Sequence, residues 1–274
     1  MPDTLATKTS TMPHQGSDAA SPPTPPGRTL RDLARHSRAN GVPGFLPELW
    51  LLGPIEYQLH KTLRKLGLRT GRDIAKVNIY GVEQPAAWTG EVFDGCTEVE
   101  IAADWNAIAL LPAPERALAA HAAFVAGLQT VLDTCGVERH TYLPGLQALA
   151  ADGFCHAVKL ATVKHDGGSL ALWLEWDGSL DLARLVVRGK AGARKAATEQ
   201  LLGYAWPDFD GIRPQDVAVG EGGRITIEVF AGFMQPDRLL RGRPYIDIPG
   251  AMRTAVPGRE RIALSFTLPQ AGPA

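Results

Sequence analysis

The chain has 274 residues, of which 45% are hydrophobic and 21% charged, and its formal net charge is -1. This composition is ordinary for a folded globular protein and excludes a chain that is disordered throughout. The near-neutral charge excludes a general electrostatic attraction to nucleic acid or to anionic membranes, so such binding would need a local basic patch.

Residues 1–27 are rich in Pro, Ser and Thr and contain no Phe, Trp or Tyr. Such a segment buries too little apolar surface to offset the entropy lost on ordering, so a disordered tail is predicted. Residues 28–274 are predicted to form a single α+β domain. No basic and apolar leader and no run of about 20 apolar residues occurs, which predicts a cytoplasmic protein that makes no membrane contact.

The first half of this domain shows both helical and extended patterns. Thr29 is a candidate cap for a helix that extends to Ala39, and Pro54 is placed to begin a helix that ends at Gly67. Alternation of apolar and polar residues predicts a strand over 75–82. Two short strands, 91–93 and 98–103, are predicted to form a hairpin around Asp94 and Gly95.

The segment from Glu115 to Thr134 is predicted to form a long apolar helix, because its interior is nearly all Ala, Leu, Val and Phe and Gly136 follows it. A helix this apolar is expected to be buried on most sides and to cover the sheet. A shorter helix is predicted from Leu143 to Ala151.

Three apolar segments between about 156 and 188 are joined by Asp-Gly turn signals, which predict a three-stranded antiparallel meander. The first turn predicts four cross-strand pairs. They are Lys164 with Ser169, Val163 with Leu170, Ala161 with Leu172, and Leu160 with Trp173. The whole sheet is therefore predicted to be antiparallel or mixed.

After the meander, a helix is predicted over 193–202 and strands over 224–233, 245–248 and 262–268. The junction before that helix combines two glycines with several cations. Backbone amides at such a helix start can hold a phosphate, so this segment is a candidate phosphate or nucleic-acid site. Its residues are Arg188, Gly189, Lys190, Gly192, Arg194 and Lys195, with Arg184 nearby.

Other candidate sites are less specific. Glu98 and Glu100 share one face of their predicted strand, and such carboxylate pairs either face solvent or serve hydrolytic chemistry in a cleft. Trp173 lies on the face of its strand opposite Trp176, where it either packs against a second layer or anchors a partner. The cysteines and histidines show no metal-ligand spacing. No catalytic residue, metal or cofactor is therefore predicted.

The pattern favours a noncatalytic protein that acts by binding another protein, in an accessory, adaptor or immunity-like role. Two alternatives remain. One is a phosphate or nucleic-acid binder that uses the basic glycine turn at 188–195. The other is an enzyme whose site is assembled from distant residues, for which a deep pocket where Glu98, Glu100, a His or Asp104 converge would be the expected sign.

Overall fold

The computed structural model describes residues 27–37, 46–165, 168–191, 196–207, 212–235, 239–240 and 242–268. Its α-helices are α1 (Gly53–Leu66), α2 (Trp105–Leu110), α3 (Ala113–Thr134) and α4 (Arg139–Ala151). Its strands are β1 (Asp32–Ser37), β2 (Lys76–Val82), β3 (Cys96–Ala102), β4 (His156–His165), β5 (Gly168–Trp176), β6 (Ala183–Ala191), β7 (Ala196–Ala205), β8 (Val217–Val219), β9 (Arg224–Phe230), β10 (Ile246–Asp247), β11 (Met252–Ala255) and β12 (Arg261–Thr267). Apart from Gly27, the predicted tail lies outside the described residues.

The first sheet is parallel and has the order β1-β2-β3. The predicted helix from Thr29 to Ala39 is wrong, because this segment contributes β1, which pairs with β2 and buries Leu33. The predicted hairpin is also wrong. The Asp94-Gly95 turn exists, with both residues at positive φ, but only a single antiparallel bridge between Phe93 and Cys96 closes it, and β3 pairs in parallel with β2.

The second sheet is antiparallel and has the order β10-β7-β6-β5-β4. It contains the predicted meander as β4, β5 and β6, and the pairs of Lys164 with Ser169, Val163 with Leu170 and Ala161 with Leu172 are confirmed. The fourth predicted pair is wrong. Trp173 lies opposite Lys159, because a bulge at Leu160 adds one residue to β4 and shifts the register.

The helix predicted over 193–202 is also wrong, since Ala196–Ala205 forms β7. This strand pairs with β6 along its length and extends the sheet beyond the meander. Alanine and glutamine there favour a helix on propensity alone, but hydrogen bonding to β6 prevails. The consequence is that residues 188–191 lie in β6, and that the next described element, which begins at Ala196, is a strand and not a helix.

The prediction of a long apolar helix covering the meander is not met. α3 lies on the parallel sheet, where Gly127 brings the helix against Ile79 of β2. Its opposite side faces solvent, and Leu118 there is 54% exposed. A side built largely from alanine can remain exposed because each methyl group adds little apolar area. Among the described helices, none is long and apolar enough to cross a membrane.

The third sheet is antiparallel, with the order β11-β12-β9-β8. Buried apolar residues from all three sheets and from the helices belong to one contiguous cluster. At one side of this cluster the rings of Trp50, Trp206, Tyr245 and Phe233 form a chain of contacts, with neighbouring ring centroids 4.2–5.9 Å apart. The described residues thus share one core.

Candidate functional site

The helices pack on one face of the parallel sheet. Ile79 contacts α3 at Gly127, and Arg35 is ion-paired with Glu56 of α1 and donates to the Leu49 carbonyl at 2.8 Å. Because side chains alternate along a strand, the residues between these positions point to the opposite face.

That opposite face is polar. It carries Ala34 and His36 from β1, Lys76, Asn78 and Tyr80 from β2, and Cys96, Glu98 and Glu100 from β3. We call this set the polar face. Parallel sheets are normally covered on both sides and apolar on both. A polar face in such a sheet therefore needs an explanation other than core formation.

The connection from β2 to β3, residues 83–95, runs back alongside the open edge of β3. The Ala86 amide donates to Glu100 Oε2 at 2.9 Å, and the Trp88 indole donates to Thr97 Oγ1 at 2.9 Å. The Thr97 hydroxyl in turn donates to the Glu91 carbonyl at 2.6 Å. Parallel strands are usually joined by a helix that fills the space beside the sheet. This connection is described throughout and contains no helix, so the space beside β3 is only partly filled.

A cleft of about 510 Å³ lies between this connection and the polar face. Its walls are formed by Ala86, Ala87, Trp88, Thr89, Glu91 and Phe93 from the connection and by Asn78, Cys96, Thr97, Glu98 and Glu100 from the strands. Clefts of this volume are typical of sites for small molecules or for single side chains of a partner.

The cleft is rich in hydrogen-bond acceptors and negative charge. Three glutamates line it, and none of the described residues in its walls is Lys, Arg or His. The position of Glu98 is fixed by the Tyr80 hydroxyl, which donates to its Oε1 at 3.0 Å. The Tyr80 ring is itself stacked on His36, with ring centroids 4.9 Å apart.

Asn78 adds a further acceptor. Its Oδ1 atom is buried and receives no hydrogen bond. Asn78 lies directly beside Glu98, because the two are partners in the pairing of β2 and β3. A buried acceptor without a donor costs about 1–3 kcal/mol. The glutamates of the cleft walls accept hydrogen bonds and carry negative charge. A group that donates hydrogen bonds and carries positive charge therefore complements them.

Two aromatic residues stand at the cleft. The Trp88 ring is held by its indole hydrogen bond and has the Arg72 guanidinium 5.7 Å from its centroid. Phe93 is 87% exposed, the largest exposure among the described large apolar side chains that face solvent. An exposed aromatic side chain beside a polar cleft is typical of a contact for a partner.

The predicted phosphate site is brought together only in part. Arg188 forms ion pairs with Glu175 and with Glu199, the latter at 3.0 Å, and Arg184 lies 3.7 Å from Glu175. These carboxylates neutralise the two arginines. The presence of glycine at position 189 has a steric explanation, because a Cβ there would lie 2.3 Å from the Ser169 carbonyl oxygen.

The rest of that site is less defined. Lys190 pairs through its backbone with Ser169 and Ala197. Gly192, Arg194 and Lys195 lie outside the described residues. A phosphate or nucleic-acid role for this turn stays a prediction, now without the helix start that suggested it.

Trp173 is half-buried on the outer face of the second sheet, between Lys159 and Val186. Leu172, Leu174 and Trp176 are buried on the inner side, as their alternation with Trp173 predicts. Its role as a partner-binding residue stays a prediction.

Sequence reasoning found Glu98 and Glu100 but missed Asn78, Trp88 and Phe93. The alternation of Asn78 and Tyr80 with buried residues of β2 was visible, but nothing in the sequence places β2 beside β3 in parallel. The path of the connection could not be read either, because it has no regular structure.

Within the described ranges, no three His, Cys, Asp or Glu side chains come close enough to hold a metal ion. Comparison of the chain with models of protein families, with curated proteins and with solved structures found no match.

Proposed function

We propose that this protein is a noncatalytic binding protein that captures a basic side chain of a protein partner in the cleft beside β3. One observation carries the proposal: three glutamates line a cleft of about 510 Å³ whose described walls contain no Lys, Arg or His. A cationic donor on a partner complements these carboxylates in charge and in hydrogen bonding.

The surroundings of the cleft support a protein as the partner. Phe93, which is 87% exposed, offers apolar area to residues that flank the captured side chain. Interfaces typically combine such an aromatic contact with a few specific polar ones. A free small cation would use the cleft and leave Phe93 in water.

The two strand carboxylates are also the pair that hydrolytic chemistry would require. Each is already engaged: Glu98 accepts from the Tyr80 hydroxyl and Glu100 accepts from the Ala86 amide. These hydrogen bonds fix the directions of the two carboxylates. These features support binding of a cation over proton transfer.

The proposal is tested with an acetylated and amidated Ala-Arg-Ala peptide, titrated calorimetrically into the full chain, with Ala-Glu-Ala as the comparison peptide. We expect saturable binding of the basic peptide only, weaker at higher salt because both partners are charged. The double variant Glu98→Gln, Glu100→Gln should bind at least tenfold more weakly.

The matched control is Glu115→Gln, Glu221→Gln, which makes the same change in charge at two exposed positions outside the cleft walls. It should bind as the unmodified chain does. Equal losses in the two double variants would show that only the overall charge matters and would contradict the proposal, as would the absence of binding.

A further inference from the structure

The chain enters the described fold beside the cleft. The Arg28 guanidinium donates to the Asp94 carbonyl at 3.0 Å and is ion-paired with the Asp94 carboxylate at 3.3 Å. The Arg28 amide donates to Asp73 Oδ1 at 2.8 Å. Asp94 belongs to the turn between Phe93 and Cys96, and both of these residues line the cleft. The segment that precedes Arg28 is therefore attached at the rim of the cleft.

This preceding segment, residues 1–26, is long enough to return to the cleft. Lys8 lies about 20 residues before Arg28. A chain of about 20 residues reaches up to about 70 Å when it is fully extended. A folded domain of about 245 residues has a radius of gyration of only about 18 Å. Because the attachment point is at the rim, the length of the segment does not prevent Lys8 from reaching the cleft walls.

The segment contains one side chain of the kind that the cleft is proposed to bind. Lys8 is the only Lys or Arg in residues 1–26, and no Asp or Glu occurs in residues 4–17. Leu5 and Met12 stand on either side of Lys8 in the sequence. A cation with apolar neighbours and no nearby acid is what the proposed function requires of a partner.

The cleft offers matching contacts. Two of the three glutamates in its walls, Glu91 and Glu98, are exposed. A carboxylate has about four acceptor positions, and the hydrogen bond from Tyr80 uses one of those of Glu98. Phe93 is 87% exposed and offers apolar area to the neighbours of the bound cation.

Covalent attachment makes a weak contact effective. A short tether gives an effective concentration on the order of millimolar at a nearby site. A contact with a dissociation constant of about 1 mM is then formed in about half of the molecules. An ammonium group at an exposed carboxylate needs no greater affinity than this to compete with an external ligand.

We propose that residues 4–12 occupy the cleft of their own chain, with Lys8 against its glutamates, and so compete with the basic side chain of a partner. The inference rests on the proposed function and adds a regulatory segment to it. A partner binds only the molecules in which the cleft is open, so its apparent affinity falls in proportion to that fraction.

The first test titrates the acetylated and amidated Ala-Arg-Ala peptide calorimetrically into the full chain and into its Lys8→Gln variant. We expect the variant to bind the peptide at least twofold more tightly, because the competing cation is absent. Lys8→Arg keeps the cation and should bind as the unmodified chain does. The matched control is Lys164→Gln, which removes the same charge at an exposed position of β4 outside the cleft walls and should also leave the affinity unchanged.

The second test locates the Lys8 amine directly. A carbodiimide condenses an amine with a carboxylate that it contacts, with loss of water, and mass spectrometry of the digest identifies the joined residues. We expect Lys8 to be joined to Glu91, Glu98 or Glu100 within single chains, in a yield that does not depend on protein concentration. Excess Ala-Arg-Ala peptide, which has neither an amine nor a carboxylate, should lower this yield.

The outcomes separate the two proposals. Equal peptide affinities of Lys8→Gln and the unmodified chain would overturn the competition by Lys8 and leave the basic-side-chain proposal standing. Cross-links of Lys8 only to carboxylates outside the cleft, or only between two chains, would likewise overturn occupation of the cleft by its own chain. Absence of peptide binding to both proteins would overturn the proposed function and this inference with it.

Discussion

Two histidines are held neutral by their surroundings. Burial, and to a lesser degree the nearby Lys61 charge, lowers the pKa of His156 to about 4, and its ring lies 5.3 Å from that of Tyr57. Burial also lowers the pKa of His121, although its hydrogen bond to the Leu146 carbonyl opposes the shift. Both side chains therefore resist protonation in the folded state.

The consequence for stability has a definite sign. Below a pH of about 6.5 the unfolded chain protonates these histidines, whereas the folded chain does not until lower pH. The unfolded state then binds more protons, so the free energy of unfolding falls as the pH decreases. For His156 this loss extends from a pH of about 6.5 to about 4.

We predict that His156→Asn makes the stability less dependent on pH in that window. Urea unfolding between pH 7.5 and 4.5 should give a shallower decline than for the unmodified chain, because asparagine does not titrate. The exposed His140, replaced in His140→Asn, should retain the original slope. Parallel curves for all three proteins would rule out His156 as a source of acid sensitivity.

At the scale of elements, the close pairing of β5 with β6 explains why residue 189 is a glycine. The sequence pattern had placed Gly189 in a candidate phosphate site. A Cβ on Gly189 would lie 2.3 Å from the Ser169 oxygen and 2.9 Å from Leu170 Cα. Both are backbone atoms, so no side-chain rotation relieves the overlap. Gly189 is needed for close approach of the two strands.

We predict that Gly189→Ala destabilises the protein by about 1–3 kcal/mol, as added volume at a close contact does. Gly220→Ala is the matched control, since the nearest atom to its Cβ would be 3.7 Å away and its φ is negative. Thermal unfolding of both variants measures the difference. A Gly189→Ala protein as stable as the control would contradict the close approach of β5 and β6.

Elements with a strong local signal were predictable from the sequence, and those decided by pairing were not. Helix α1 has Pro54 at its start and Gly67 in the left-handed conformation at its end, and both signals are local. β1 and β7 instead contain residues with good helix propensity, and their strand conformation depends on β2 and β6. The bulge at Leu160 likewise had no local signal.

The same distinction applies to the candidate site. Alternation placed Glu98 and Glu100 on one face of a strand, which the structure confirms. The cleft itself depends on the parallel pairing of β2 with β3 and on the path of residues 83–95. Both are tertiary features, so a pair of carboxylates was predictable but the cavity that contains it was not.

At the scale of the whole molecule, the core and the polar face are separate. The contiguous apolar cluster includes residues from the helices and the sheets, and Arg116 links the start of α3 to the β5–β6 turn through Asp181 at 2.7 Å. Val77, Ile79, Val99 and Ile101 of β2 and β3 belong to that cluster, and they alternate along the strands with the residues of the polar face. The fold is thus stabilised on one side of the parallel sheet, which leaves the other side available for a ligand.

The most direct test of this account is a backbone-amide NMR titration of the full chain with the acetylated methylamide of arginine. We predict that the largest saturable shift changes fall in residues 86–93 and 96–100, which form the cleft. Changes centred instead on Trp173 and Arg188, or changes that do not saturate, would contradict the assignment of the binding site to the cleft.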